Sequence, residues 1–122
     1  MASNANFHLP EIKNGSSVGI LGGSFDPPHL CHELLALSFL ALEPITDLWV
    51  IPCANHAFKD NLTSFAHRLA MCKLAFSRLN NVHVLAIEEN LATPNFTINT
   101  LEAILQKRPD LKIFFGLGSV QS

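Results

Sequence analysis

The chain has 122 residues, of which 48% are hydrophobic, so it is long enough to bury one core and is expected to form one domain. Its formal net charge is −2, and its lysines and arginines are scattered rather than gathered into the basic patch that nucleic-acid binding requires. No nucleic-acid partner is expected. Three cysteines at irregular spacing do not form a disulfide framework and indicate free thiols in a reducing cytosol.

Residues 1–16 are interpreted as a loose polar lead-in, and the domain is predicted to occupy residues 17–122. The lead-in has neither the basic n-region nor the apolar h-region of a signal peptide. The most apolar run, residues 34–42, is far shorter than the ~20 residues that cross a bilayer. No membrane partner is therefore expected, and a cytoplasmic location is predicted.

The stretch at residues 18–35 predicts a buried strand, a glycine turn and the start of a helix. Residues 18–21 are apolar and have the composition of a central parallel strand. Gly22 and Gly23 let the backbone turn and approach a ligand without Cβ atoms in the way. The Asp-Pro-Pro sequence at residues 26–28 starts the helix, because a proline there lacks only an N–H that would be unpaired in any case.

His29 and His32 are three residues apart, so both imidazoles are predicted to lie on one face of the first helical turn. The free N–H groups and the positive dipole end of that turn favour an anion, and imidazoles donate further hydrogen bonds to phosphate oxygens. This arrangement suits phosphoryl or nucleotidyl transfer. The alternative is a metal site that the two histidines form with Cys31, Cys53 or His56, but Cys31 is predicted to point away from the histidine face.

The rest of the chain alternates helices and strands. Helices are predicted over residues 29–43, 65–79 and 97–107, and strands over 47–52, 82–87 and 111–115. The first helix, with Leu34, Leu35, Leu37 and Leu42, is predicted to pack against a sheet, and the third is predicted to bury a stripe of Ile98, Leu101, Ile104 and Leu105.

This alternation implies right-handed crossovers and a parallel sheet covered on both faces, which is a doubly wound, Rossmann-like α/β fold of about four strands and three helices. Ligands of such sheets bind beyond the carboxyl ends of the strands, where the strand order reverses. The loops at Gly22, Cys53, Glu88 and Gly116 are therefore expected to open on one side.

The sequence GGSFDPPHLCH at residues 22–32 resembles the GG[ST]FDPxHxGH signature of the nucleotidyltransferases with an HxGH motif. Within them it looks most like the bacterial nicotinate (nicotinamide) mononucleotide adenylyltransferases, although Cys31 stands where that family usually has glycine. The resemblance implies catalytic roles for His29 and His32. It also implies nucleotide binding by six residues, Gly22, Gly23, Ser24, Phe25, Asp26 and Gly116.

A second block, with Ile-Pro at residues 51–52, Lys59 and SFAHRLAM at residues 64–71, is similar to the family's IPxxxPPHK and SFxHRLxM motifs. The resemblance implies a catalytic role for Lys59 and a substrate-binding role for Arg68. From the residues alone, Lys59 would by default be a solvated surface charge, and it is the resemblance that favours a catalytic role. Arg68 is equally an ion-pair partner, and the candidate carboxylates are Asp60, Glu88 and Glu89.

The sequence PNFTINTL at residues 94–101 is similar to the family's PSYTIDTL, which implies that Asn95, Phe96 and Thr97 help to hold the mononucleotide. Thr97 is also a candidate helix N-cap. A last block at residues 113–119 is similar to the family's FIIGxDSL, with Gly118 in place of the aspartate.

The resemblance covers residues 17–119, and the chain looks like the amino-terminal two-thirds of such an enzyme. The family's [IS]SxTx[IL]R motif, which clamps the outer phosphates of ATP, is not among these 122 residues, so this chain alone is expected to be weak or inactive. The implied reaction joins ATP and nicotinate or nicotinamide mononucleotide, giving the dinucleotide and pyrophosphate in NAD biosynthesis. Mg²⁺ is expected to enter with ATP, held by phosphate oxygens and water rather than by an all-protein site.

Two alternatives stay open. One is another transferase of the same superfamily, acting on phosphopantetheine or making a CDP-alcohol. The other is a nucleotide-binding protein without turnover. The oligomeric state is also open, and a homo-oligomer is compatible with the sequence.

Overall fold

The computed structural model describes residues 8–23, 25, 28, 30–42, 44–53, 64–87 and 97–117. Within them strands and helices alternate along the chain: β1 (Ser17–Gly23), α1 (Leu30–Leu42), β2 (Asp47–Pro52), α2 (Phe65–Ala75), β3 (Val82–Val84), α3 (Thr97–Lys107) and β4 (Lys112–Leu117). The predicted alternation is confirmed. None of the helices in these ranges is long and apolar enough to cross a membrane.

The four described strands form one parallel sheet in the order β3-β2-β1-β4. In the centre of the sheet, Gly19 of β1 pairs with Leu48 of β2 on one side and with Phe114 of β4 on the other. The strand order runs outward from β1 to β3 and then reverses, because β4 lies on the far side of β1. The predicted doubly wound parallel sheet is therefore confirmed, and its order reverses between β1 and β4.

Each face of the sheet carries an apolar cluster that holds helices in place. Because side chains alternate along a strand, Ile20 enters the cluster beneath α3 and its neighbour Leu21 enters the cluster beneath α1 and α2. The α3 cluster contains Val18, Ile20, Trp49, Ile51, Ile87, Ile104 and Leu111. The cluster beneath α1 and α2 contains Leu21, Phe25, Ala36, Leu48, Val50, Cys72 and Phe76.

The face that α1 buries differs from the prediction. Leu34, Leu35 and Leu37, predicted to pack against the sheet, are 53%, 37% and 47% exposed. Ala36 is fully buried instead, and Phe39 packs beside it. The helix is apolar almost all round, so spacing alone did not identify its buried face. Leu105 of α3 is likewise 39% exposed rather than buried, whereas the side chains of Leu42 and Ile98 lie outside the described residues.

Four element ends also differ from the prediction. Helix α2 ends at Ala75 rather than at residue 79, because the chain leaves the helix at Phe76, its C-cap. Strand β3 ends at Val84 rather than at residue 87. Gly116 lies inside β4 rather than in a loop, since pairing with β1 continues past it. For the same reason, the glycine pair at residues 22–23 ends β1 rather than forming a turn.

The described part of the lead-in, residues 8–16, is held to the domain. Leu9 and Ile12 pack against the α3 cluster. The carbonyl of Ile12 also accepts a hydrogen bond of 3.3 Å from the guanidinium of Arg108, which follows α3. The end of the lead-in is therefore fixed by the same helix that covers this face of the sheet.

Candidate active site

The candidate site lies at the carboxyl ends of β1 and β4, where the strand order reverses. Gly22 pairs with Leu117 of β4, and Gly23 pairs with Pro52 of β2, so both glycines are at the edge that faces a ligand. A Cβ built on Gly22 would lie 3.6 Å from Cζ of Phe115, an ordinary van der Waals contact. Packing of the described neighbours therefore does not demand glycine at this position, and the nucleotide contact predicted for Gly22 would benefit from the missing Cβ.

Phe25 follows the glycine pair in the left-handed backbone region, with a φ of +50°. That conformation is uncommon for a bulky residue and costs about 1–3 kcal/mol. The side chain points into the protein and is 1% exposed. A nucleotide contact of the kind predicted for Phe25 would thus come from its backbone, and the assignment stays a prediction.

His32 lies in the first turn of α1 and is 4% exposed. Its imidazole packs against the ring of Phe25, with the ring centroids 4.7 Å apart and the planes tilted by 57°. The N–H groups of this first turn have no partners within the helix and carry the positive end of its dipole. The structure therefore puts an imidazole at the start of α1, against a ring that follows the end of β1 by two residues, and the backbone N–H groups of such a helix start are donors to an anion. The catalytic role of His32 stays a prediction.

Arg68 of α2 is 1% exposed, and its guanidinium contacts the backbone rather than solvent. Nη1 donates a hydrogen bond of 2.6 Å to the carbonyl of Cys53, the residue after β2. The guanidinium carbon also lies 5.5 Å from the centre of the Phe65 ring. The carboxylates considered as its partners from the sequence, Asp60, Glu88 and Glu89, lie outside the described residues.

Cys72, one helical turn after Arg68, is fully buried. Burial raises the pKa of its thiol to about 12, and the positive charge of Arg68 opposes this in part. The thiol is therefore neutral at physiological pH and packs as an apolar side chain. Across the described ranges, no group of three His, Cys, Asp or Glu side chains is placed to hold a metal ion. His56, which the metal alternative would use, lies outside those ranges.

The N-terminus of α2 explains the residue beside Arg68. The Ser64 side chain caps the helix by accepting a hydrogen bond of 3.3 Å from the backbone N–H of His67. The Ser64 hydroxyl also lies 3.0 Å from Nδ1 of the same histidine. His67 thus serves the helix start.

The structure places Gly22 and Gly23 at the end of β1, and Phe25 against His32 at the start of α1. Gly116 pairs with Leu21 one step back from that edge. Thr97 begins α3, with its side chain not described. Six further predicted site residues lie outside the described ranges: Ser24, Asp26, His29, Lys59, Asn95 and Phe96. All of these site assignments stay predictions.

Two features of this region were missed from the sequence. Phe76 lies against Phe25, with ring centroids 6.3 Å apart and an edge-on angle of 88°. The carbonyl of Cys53 is the acceptor for Arg68, and no side-chain pattern signals a backbone acceptor.

Comparison with known proteins gives three kinds of match. Residues 20–120 match a family model described as cytidylyltransferase-like. The protein named "Probable nicotinate-nucleotide adenylyltransferase" in Anaeromyxobacter dehalogenans is 36% identical over 111 residues, which cover 88% of this chain and 59% of that protein. The protein of the same name in Albidiferax ferrireducens is 37% identical over 106 residues, which cover 86% of this chain and 54% of that protein.

Among solved structures, the nicotinic acid mononucleotide adenylyltransferase of Plasmodium falciparum, complexed with NaAD, matches with a TM-score of 0.70 and 25% identity. The match covers 84% of this chain and 51% of that chain. The chain thus spans between 51% and 59% of the length of these three relatives.

Proposed function

We propose, since this chain belongs to the cytidylyltransferase-like family, that it is the nucleotide-binding part of an adenylyltransferase in NAD biosynthesis. The reaction joins ATP and nicotinate or nicotinamide mononucleotide and gives the dinucleotide and pyrophosphate. The names of the two bacterial relatives and of the Plasmodium enzyme support this class of substrate. A cytoplasmic setting is proposed with it, because the three cysteines fit a reducing compartment.

The observation that carries the proposal is the meeting of a bare strand end with a helix start at the point where the sheet order reverses. Gly22 and Gly23 end β1, and His32 lies in the first turn of the helix that follows. Backbone amides, a helix dipole and an imidazole are all donors to phosphate oxygens. Nucleotides of doubly wound sheets bind at this place.

In the proposed reaction, the mononucleotide phosphate attacks the α-phosphorus of ATP directly. The bond from that phosphorus to the bridging oxygen breaks, and pyrophosphate leaves with the bond electrons. The protein has little covalent chemistry to perform in such a transfer, so it acts by positioning and by stabilising charge. His32 donates a hydrogen bond to the α-phosphate oxygens, and His29 and Lys59 are proposed to serve the same group.

The donors described at this edge suit phosphate oxygens, because amides and a protonated ring nitrogen offer hydrogen atoms rather than lone pairs. Mg²⁺ is therefore proposed to arrive with ATP and to be held chiefly by phosphate oxygens and water rather than by an all-protein site. When bound, the ion would supply positive charge that offsets the negative charge of the phosphates. The protein side chains position the two substrates for the direct attack.

The test uses the protein together with any sequence its gene encodes beyond residue 122. Pyrophosphate release is measured with ATP and Mg²⁺ against nicotinate mononucleotide, nicotinamide mononucleotide and phosphopantetheine in turn, and separately with CTP and a phosphorylated alcohol. Release with either pyridine mononucleotide is expected, with the dinucleotide confirmed by chromatography.

Release only with phosphopantetheine or only with CTP would assign the protein to another transferase of the superfamily. Binding of ATP without release of pyrophosphate from any acceptor would instead identify a nucleotide-binding protein without turnover. Both outcomes contradict the proposal.

A further inference from the structure

We propose that Phe25 is a positioning residue, whose ring holds the imidazole of His32 in the orientation that the α-phosphate requires. This inference rests on the proposed function. It gives the Phe25 side chain a role through His32, since the side chain itself is buried, with 1% of its surface exposed.

The contact between the two rings is close and enclosed. Their centroids are 4.7 Å apart with a tilt of 57°, within the range in which aromatic pairs attract each other. Phe25 is 1% exposed and His32 is 4% exposed, so the contact is shielded from water on almost every side. The Phe25 ring therefore restricts the positions that the imidazole can adopt.

The orientation of an imidazole is not fixed by its own helix. The terminal torsion of a histidine side chain is broad and roughly two-fold, so a ring packed against the imidazole restricts the ring planes that it adopts. A hydrogen bond to a phosphate oxygen weakens steeply when the N–H points away from it. A ring packed at a fixed tilt against the imidazole therefore directs the N–H before the substrate binds.

Two features fix the position of Phe25, namely its backbone conformation and a contact with Phe76. Its backbone stays in the left-handed region with a φ of +50°, a conformation that persists only where the surrounding structure imposes it. Its ring meets Phe76 edge-on, with centroids 6.3 Å apart, and Phe76 is the C-cap of α2. The ring that contacts His32 is thus itself held in place by the end of α2.

The test compares Phe25→Leu with Phe39→Leu in the protein expressed with any sequence encoded beyond residue 122. Phe39 belongs to the same apolar cluster and lies on α1, about two turns after His32, so the same substitution there removes a core ring at a distance from the imidazole. Four quantities are measured: kcat, KM for ATP, the melting temperature and the NMR shift of the His32 ring Cε1 proton.

Both variants are expected to melt at lower temperature. Phe25→Leu alone is expected to lower kcat by about tenfold or more, with KM for ATP within about twofold of the wild type, because misorientation acts on the transition state. It is also expected to shift the His32 Cε1 proton, since the ring current of Phe25 is lost. Should Phe25→Leu fail to fold, Phe25→Met provides the same test with a flexible side chain.

A Phe25 variant with wild-type kcat and an unmoved His32 signal would overturn the inference. So would an equal loss of kcat in Phe39→Leu, since that would make the effect one of general stability. A wild-type protein that releases no pyrophosphate with any acceptor would instead contradict the proposed function. The His32 signal then decides separately whether Phe25 sets the environment of the imidazole.

Discussion

The guanidinium of Arg68 and the carbonyl of Cys53 are joined by a hydrogen bond of 2.6 Å between α2 and the end of β2. The N–H of Cys53 in turn donates to the carbonyl of Gly23, at 2.9 Å, so the backbone of one residue, Cys53, ties α2, β2 and β1 together. This link lies beside the strand end at which a phosphate is proposed to bind. Arg68 therefore stabilises the frame of the candidate site from within.

Arg68→Met is expected to lower the free energy of unfolding by roughly 2 kcal/mol, because a partly buried carbonyl loses a charged donor. Urea unfolding measures the loss. The matched control is Arg78→Met, since Arg78 is exposed, and its effect is expected to stay within about 0.5 kcal/mol. Equal losses in the two variants would show that the Cys53 hydrogen bond does not stabilise the fold.

Substitution of alanine at two glycines of β1 is expected to change the stability of the protein in one case and not in the other. A Cβ on Gly19 would lie 2.6 Å from Cδ1 of Ile45 and 3.0 Å from Cδ1 of Leu48, so those side chains must shift. Gly19→Ala is therefore expected to cost about 1–3 kcal/mol of stability. Gly22→Ala meets only an ordinary contact with Phe115 among its described neighbours and is expected to melt close to the wild type.

Gly22→Ala is nevertheless expected to lower kcat/KM for ATP by about tenfold or more, because the added methyl group stands between the backbone and the phosphates. Melting temperatures and kinetics are measured on both alanine variants. A Gly22→Ala protein with normal kinetics would remove this residue from the predicted nucleotide site.

The elements that the sequence predicted best are those with clear boundaries. Strand β2 was predicted at residues 47–52 and α3 at residues 97–107, as observed. The first is a short apolar run that ends at a proline, and the second has a one-sided apolar stripe. The buried face of α1 was not predictable, because Leu34 and Leu37 are as apolar as the residues that do pack.

Some features of the candidate site were likewise predictable from the sequence, and others were not. Gly22 and His32 are local features, and the glycine pair with the helix start indicated both from the sequence. The contacts of Arg68 with Cys53, and of Phe25 with Phe76, join residues from different elements. Such contacts depend on how the helices pack on the sheet. The pattern of side chains within one element does not predict that packing.

His32→Ala is expected to lower kcat by at least ~10²-fold while the dissociation constant of ATP changes far less, because the imidazole acts where charge develops in the transition state. The control is His67→Ala, since His67 is exposed and serves the N-terminus of α2. A His32→Ala protein that is destabilised but retains near-normal kcat would restrict His32 to a packing role.

Protonation of Asp110 at low pH is expected to weaken the attachment of the lead-in to the domain. Its carboxylate accepts hydrogen bonds from Arg108, at 2.9 and 2.8 Å, and from the backbone N–H of Gly15, at 2.7 Å. These donors, that of Arg108 above all, hold the pKa of Asp110 well below its usual range. The carboxylate is thus harder to protonate in the folded chain, and its contribution to stability is present above about pH 4 and lost as the pH falls.

Asp110→Asn is therefore expected to melt below the wild type at pH 7, with the difference shrinking as the pH is lowered from 4 to 3. Thermal melts of both proteins across this range provide the measurement. Glu102→Gln, which neutralises an exposed carboxylate of α3, is expected to match the wild type near pH 7. A constant difference between Asp110→Asn and the wild type at all pH values would show that the charge of Asp110 is not what holds the lead-in.

The buried thiol of Cys72 is expected to make the free energy of unfolding fall at alkaline pH. Burial raises the pKa of its thiol from 9.0 to about 12, although the neighbouring Arg68 favours the thiolate. Between these two values the unfolded chain releases the proton and the folded chain keeps it, so stability is full below about pH 9 and falls as the pH rises.

The size of the effect follows from the same difference in proton binding. Raising the pH from 8 to 10 is expected to destabilise the wild type by about 1 kcal/mol more than Cys72→Ala, since the alanine variant has no proton to lose at this position. Urea unfolding of both proteins at the two pH values gives the comparison, and lysines contribute equally to each. The variant has a lower stability at both pH values, because a buried side chain is shortened, so only the change between them is diagnostic. Equal changes would mean that the thiol ionises in the folded chain as readily as in the unfolded one.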